Sequence, residues 1–139
     1  MVPKNAIARL ALMDDLEFVS QDGYLPPEVV GHKIALGECF LVEINSGPVG
    51  YLRLDYLWSL VPYIDLIHIQ KAYRKQGYSR ILLSFVIDTL RETGHHQLYS
   101  SSQSNEPEPQ AWHRHMGFVE CGVINGINEG GVGEIFFRI

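Results

Sequence analysis

The sequence predicts an α/β (α+β) fold, a mixed sheet of about seven strands with about four helices on its faces. Three observations predict it. A hairpin pattern runs through residues 40–58 and is followed by a further β run. Two helical periodicities beyond residue 77 alternate with short strands, and an apolar strand pair closes the chain. The 139 residues fit one domain, 1–139, large enough for a real core and too short for two.

Taken in order, Ala6 to Leu12 is a short apolar stretch broken by Arg9 and reads as a first strand. Asp14 and Asp15 favour the positive end of a short helix through Val19. Asp22-Gly23 is a turn. Pro26-Pro27-Glu28 opens a second helix with Val29, Val30, Ile34 and Leu36 as a loose apolar face, and Gly37 closes it. Phe40 to Ile44 is a strand, Asn45-Ser46-Gly47-Pro48 a turn, and Val49 to Trp58 the returning strand. In it Leu52, Leu54, Tyr56 and Trp58 alternate with Arg53, Asp55 and Leu57. Tyr63 to Ile69 is another β run. Tyr78 to Thr93 is a helix with Ile81, Leu82, Phe85, Val86 and Leu90 at helical spacing and Gly94 as its cap. Gln97 to Ser101 is a short strand. Glu106 to Met116 is a helix with Asn105 as its N-cap and Gly117 after it. Phe118 to Ile124 and Val132 to Phe137 pair around the glycine-rich segment Gly126 to Gly133.

Hydrophobic residues at 46% and charged residues at 19% describe a soluble globular protein. A net charge of -5 gives no general electrostatic footprint for nucleic acid and leans toward cationic molecules or amines. Cys39 and Cys121, far apart and each within apolar, strand-like sequence, read as buried thiols of a reducing compartment. Lys4, Arg9, Asp14 and Asp15 interrupt any secretory apolar run, and no segment is long and apolar enough for a membrane. The expected location is cytoplasmic.

The chemistry concentrates in Gln70 to Arg80, QKAYRKQGYSR, which joins a strand to an amphipathic helix. A helix N-terminus offers unpaired N–H groups and the positive end of the dipole, together an anion site. Gly77 permits close approach or a positive φ, and Arg74, Lys75 and Arg80 add cations for charge-assisted bonds. An ordinary strand-to-helix loop with surface cations explains the same residues taken alone. Neither GxGxxG nor GxxxxGK[ST] is present, which removes the usual dinucleotide and NTP cradles.

Arg74-Lys75-Gln76-Gly77-Tyr78-Ser79 resembles the [Q/R]-x-x-G-x-[G/A] signature of the GNAT superfamily of acetyl-coenzyme A-dependent N-acetyltransferases. Ile69 and Tyr73 stand before it where the family has an aliphatic residue and an aromatic one. Ala111 to Phe118, AWHRHMGF, is similar to the family's later helix ending in Tyr-x-x-x-Gly-Phe, with Gly117-Phe118 in place. Element order agrees over roughly the last hundred residues. The sequence departs from the family at Ser79, for Gly or Ala, and at His113, for the usual tyrosine.

The resemblance implies a GNAT-like mixed, mostly antiparallel central sheet. It also implies direct acetyl transfer from acetyl-CoA to an amine acceptor, a small molecule or a peptide, in a ternary complex. Ile67, His68 and Ile69 would lie beside the pantetheine arm, with an N–H near Ile69 facing the thioester carbonyl. Arg74, Lys75, Gln76, Gly77, Tyr78, Ser79 and Arg80 would surround the pyrophosphate, and Asn105 would touch the arm. A primary amine with a pKa of about 10 needs a proton acceptor, and the departing thiolate gains from a donor. Asp65 is the candidate base, placed by strand alternation on one face with Tyr63, Ile67 and Ile69; its structural alternative is pairing with Arg53. His113 is the candidate acid, with Trp112 in its place if the helix slips by one residue. Trp58 and Tyr63 are candidates for an acceptor pocket. Many relatives dimerise. A noncatalytic acyl-CoA-binding or regulatory module is the rival reading, and acceptors with acetyl-CoA would separate the two.

No metal is expected. His95-His96 are adjacent on a turn, and His113 and His115 point to different sides of one helix, with no carboxylate or cysteine cluster nearby.

Overall fold

The computed structural model describes residues 5–139. Its strands are β1 (Ile7–Leu10), β2 (Cys39–Ile44), β3 (Gly47–Leu57), β4 (Val61–Ile69), β5 (Tyr99–Gln103), β6 (Val119–Ile124) and β7 (Glu134–Arg138). The helices are α1 (Leu16–Val19), α2 (Pro27–Ala35), α3 (Tyr78–Glu92) and α4 (Pro107–His115). One seven-stranded sheet runs in the order β1-β2-β3-β4-β5-β7-β6. Every neighbouring pair is antiparallel except β4 and β5. The mixed, mostly antiparallel sheet with four helices is therefore the fold.

Each sheet face carries its own core. On one face Phe40, Val42, Leu52, Leu54 and Ile64 meet Leu82, Leu83, Val86 and Leu90 of α3. The spacing of those α3 residues puts one continuous stripe against the sheet. On the other face Val19 of α1 and Val30 and Ile34 of α2 cover Leu41 and Tyr51. Lys33 is buried in the same helix, its Nζ donating to the Leu54 carbonyl at 2.6 Å and to Asp55 Oδ1 at 2.7 Å. A buried ammonium persists because those bonds replace its water shell.

Several local expectations need correction. Val29 is 40% and Leu36 72% exposed, because the covered face of α2 is Val30, Lys33 and Ile34 and Leu36 has already reached the C-cap. Trp58 does not continue the β3 alternation. It sits at the tip of the β3–β4 hairpin with φ 53°, followed by Ser59 at 63°, and is 82% exposed. A connection this short between Leu57 and Val61 demands left-handed residues, so the ring is turned out of the sheet. Cys39 is buried but Cys121 is exposed. The β6–β7 register shifts between Glu120 and Gly122, making Cys121 the extra residue of a bulge on an edge strand. The strand expected over 97–101 lies at Tyr99–Gln103, although Leu98 already exchanges both backbone bonds with Ile139.

Candidate active site

β4 and β5 run parallel but pair only at Tyr63↔Tyr99. Beyond that point β4 continues to Ile69, while β5 is held on its far side by β7 through Gln103. The two strands thus fork, and the fork opens at their C-terminal ends, where sheets of this kind receive ligands. The β4 arm leads through a 3₁₀ turn, Lys71–Tyr73, into the N-terminus of α3.

A bulge sits on the β4 arm. Arg53 faces Leu66 and Leu54 faces Ile64, leaving Asp65 without a partner. The extra residue reverses the alternation, as any single-residue slip does. Ile64, Ile67 and Ile69 consequently all belong to the α3-side core, whereas Leu66 packs on the α1/α2 side. His68 also lies on that second side, its ring 5.5 Å from Tyr51. The expectation that Asp65 shares a face with Tyr63, Ile67 and Ile69 is therefore corrected. Asp65 keeps company with Tyr63 on the α1/α2 face, and the two isoleucines point the other way.

Asp65 is half-buried, with Oδ2 3.6 Å from Arg53 Nε. Burial pushes its pKa above the ordinary carboxylate value, and Asp55 adds to that; Arg53 and Lys33 oppose the rise without cancelling it. Arg53 itself is 1% exposed. Its Nη1 donates to Asp22 Oδ1 at 2.5 Å and to the Val19 carbonyl at 2.9 Å, its Nη2 to Asp22 Oδ2 at 2.9 Å. Tyr51 also donates to Asp22, at 2.7 Å. Of the three guanidinium nitrogens of Arg53, Nε alone has no hydrogen-bond partner among the described residues, and it is the atom turned toward Asp65.

At the turn, Lys75 has φ 61° and Gly77 φ 92°. Left-handed residues in a turn are the backbone conformation from which anion-binding N–H concavities are built. The first helical bond runs from Ile81 N–H to the Gly77 carbonyl, so the N–H groups of Tyr78, Ser79 and Arg80 precede the helical ladder. Lys71, Arg74, Lys75 and Arg80 are exposed. Among the described residues none of these four makes an ion pair. Arg74 Nε donates to the Ile69 carbonyl at 2.8 Å, clasping the strand end to the turn. Gln76 binds the Ala72 carbonyl at 3.0 Å. Tyr78 is buried against the core beside Tyr73, so only its main chain faces the turn. Ser79 Oγ accepts from Trp112 Nε1 at 3.3 Å. The serine that departs from the family pattern thereby ties the start of α3 to α4.

Gly50 supports this end of β4 from behind. A Cβ there would lie 2.4 Å from Ile69 Cδ1 and 3.0 Å from the His68 carbonyl oxygen.

His113 is 4% exposed and stacked on Phe137 with centroids 4.5 Å apart. Its Nδ1 meets the Pro109 carbonyl at 2.7 Å, so that nitrogen carries the proton. Nε2 then accepts from Ser100 Oγ, also at 2.7 Å. Burial lowers its pKa, against the raising influence of Pro109 and Glu134. Both nitrogens are engaged inside the fold, leaving none to protonate a thiolate. A histidine with a lowered folded pKa binds fewer protons folded than unfolded, so its share of stability is present above about pH 6.5 and lost as pH falls. The stability difference between the wild type and His113→Gln is accordingly expected to shrink between pH 7 and pH 5, measured by urea denaturation.

Asn105 is exposed and caps nothing. The N-cap of α4 is Glu106, because Pro107 fixes the first helical residue and holds the one before it extended. No trio of His, Cys, Asp or Glu among the described residues is arranged to hold a metal. No helix among them is long and apolar enough to cross a membrane. Sequence reasoning missed Ser101, which joins Tyr63 to Glu134 in a chain of hydrogen bonds. The available signal was Ser100-Ser101-Ser102, a polar run where a strand usually carries β-branched or aromatic residues.

A forked sheet with a free strand edge leads here to a helix N-terminus of the kind that suits anions. The sequence matches the model of the acetyltransferase (GNAT) family over residues 10–118. The chain belongs to that family and is an acetyltransferase. Among solved structures it is similar to a GNAT-family acetyltransferase from Bacillus cereus, with TM-score 0.77 and 23% identity over 96% of each chain. It is also similar to Ard1 from Thermoplasma volcanium, with TM-score 0.81 and 12% identity over 97% of each chain. A third likeness is to yncA, an acetyltransferase of Salmonella typhimurium solved with acetyl-CoA, at TM-score 0.76 and 17% identity over 98% of this chain and 94% of that one. At these identities the likeness is one of fold. No curated protein matches the sequence.

Proposed function

We propose that the chain transfers the acetyl group of acetyl-CoA directly to an amine of a small molecule or peptide within a ternary complex. The fork between β4 and β5, leading to an α3 N-terminus ringed by unpaired cations, carries this reading. The likeness to a relative solved with acetyl-CoA supports the same co-substrate. The residues present fit its chemistry: left-handed Lys75 and Gly77, the leading N–H groups of α3, and the side chains of Lys75 and Arg80 suit a pyrophosphate. Ile67, His68 and Ile69 on the free side of β4 would flank its pantetheine arm, and exposed Asn105 would meet it from the segment before α4. When bound, the co-substrate supplies an activated thioester. Asp65, made more basic by burial and Asp55, takes a proton from the acceptor's ammonium group. His113 serves the fold rather than the leaving group.

Release of free thiol from acetyl-CoA in the presence of spermidine, kanamycin, lysine and N-terminal peptides tests this. Turnover with one amine class supports transfer; a thermal shift with acetyl-CoA but no acceptor-dependent release would make the chain a binding module. The double substitution of Lys75 and Arg80 by alanine is expected to weaken acetyl-CoA binding about tenfold, and by less at high salt, read by calorimetry.

A further inference from the structure

One chain of hydrogen bonds spans three strands at the vertex of the fork. Tyr63 occupies the last paired position of β4, and its hydroxyl lies 2.6 Å from Ser101 Oγ on β5. Ser101 Oγ donates to Glu134 Oε2 on β7 at 2.5 Å, and Asn128 Nδ2 donates to the other carboxylate oxygen at 2.9 Å. The far end sets the direction of both hydroxyl protons. An ionised carboxylate only accepts, so Ser101 gives its proton to Glu134, and the serine oxygen then takes that of Tyr63. The Tyr63 oxygen is left with an open lone pair, on the same sheet face as Asp65.

The reaction needs such an outlet. An ammonium ion carries three N–H bonds and the amide product one, so two protons must leave the nitrogen. Asp65 takes the first and frees the lone pair for attack. The nitrogen is then positively charged in the tetrahedral adduct, and unless it loses a second proton the amine is expelled in preference to the thiolate. We propose that this second proton leaves through Tyr63, Ser101 and Glu134. The N–H proton passes to the Tyr63 oxygen, the phenolic proton to Ser101 Oγ, and the serine proton to Glu134 Oε2. Nitrogen keeps its electron pair as the C–S bond breaks and the thiolate departs with the bonding pair. Asp65 and Glu134 return their protons to solvent. Tyr63 touches the acceptor and is a catalytic residue; Ser101 and Glu134 act through it as positioning residues.

The surrounding charges favour a cationic acceptor. Asp55 from β3, Asp65 from β4 and Glu134 from β7 act on Tyr63, with Glu134 also sensed by the buried His113 of α4. Arg53 and Lys33 act on the Asp65 side. Burial raises the Tyr63 pKa, the Ser101 bond opposes that, and the three carboxylates reinforce it, so the phenol stays neutral and works as a conduit.

The inference rests on the transferase reading, and the experiment separates the two. Steady-state rates are measured with acetyl-CoA and the fastest primary amine of the panel above, and with hydroxylamine. The adduct of hydroxylamine is acidic enough to lose its proton to water unaided. Tyr63→Phe, Ser101→Ala and Glu134→Gln are each expected to lower kcat with the primary amine about a hundredfold. The KM for acetyl-CoA should stay within about twofold, and the loss with hydroxylamine should be about threefold or less. Combining two of the substitutions should cost no more than one, because a broken conduit cannot be broken twice. Turnover by the wild type with losses that multiply, or that fall equally on both nucleophiles, overturns the conduit alone. No wild-type turnover with any amine overturns the transferase reading and the conduit with it.

Discussion

Arg53→Met is expected to lower the unfolding free energy by about 3–5 kcal/mol, the cost of removing one partner from a buried ion pair. Arg53 is among the most deeply buried side chains in the molecule, and its two terminal nitrogens grip both oxygens of Asp22. Without it Asp22 would keep only the Tyr51 hydroxyl and the Tyr24 N–H, too little for an ionised carboxylate 8% exposed. The paired substitution Asp22→Leu with Arg53→Met is expected to recover a large part of the loss, since the apolar pair leaves no charge stranded at position 22 and the only other carboxylate among the described residues to lose a neighbour is the half-buried Asp65, 3.6 Å from Arg53 Nε. Burial alone would raise the Asp22 pKa, but the bonds from Arg53, Tyr51 and the Tyr24 N–H pull it well below the ordinary value. A carboxylate with a depressed folded pKa gives stability that is full above about pH 3.9 and lost as pH falls further. Wild-type stability should therefore fall in acid by more than that of the double variant, as urea denaturation from pH 7 to pH 2.5 would record.

The element order and the strand-to-helix turn were legible because each rests on local rules. The apolar period of α3, the cap-like glycines and the left-handed demand at Gly77 are written in neighbouring residues. What sequence could not show depends on register. Nothing in Tyr-Ile-Asp-Leu-Ile announces a bulge, since Leu66 and Ile67 are both apolar and either could face either core. The bulge appears only when β4 is laid against β3, and it decides which side of the sheet Asp65 serves. His113 was misleading for a similar reason. Its place four residues before Gly117 is visible in sequence, but the serine and phenylalanine that enclose it come from β5 and β7. Ser79 was legible only as a departure, and its compensation, the Trp112 bond, lies on a different helix.

Asp65→Asn is expected to reduce kcat with a primary amine by about 10²–10³-fold while leaving acetyl-CoA affinity almost unchanged. The amide keeps the shape of the carboxyl and its place in the bulge but cannot take a proton. In the wild type the acidic limb of the kcat/KM profile should lie above the pH of an ordinary aspartate, because burial and Asp55 together raise the Asp65 pKa. Stability should move oppositely to activity. A carboxyl whose folded pKa is raised contributes stability below its unfolded pKa, about 3.9, and loses that contribution as pH rises through the folded value. At neutral pH the charged form is therefore a burden on the fold, which Arg53 Nε at 3.6 Å only partly relieves. Asp65→Asn should accordingly melt higher than the wild type at pH 7 and show no such gain at pH 3.5. A carboxylate kept at a structural cost, in a bulge that turns it to the α1/α2 face, is what the proposed proton acceptor requires. Lower stability together with unaltered turnover in the asparagine variant would instead identify Asp65 as a partner of Arg53 and nothing more.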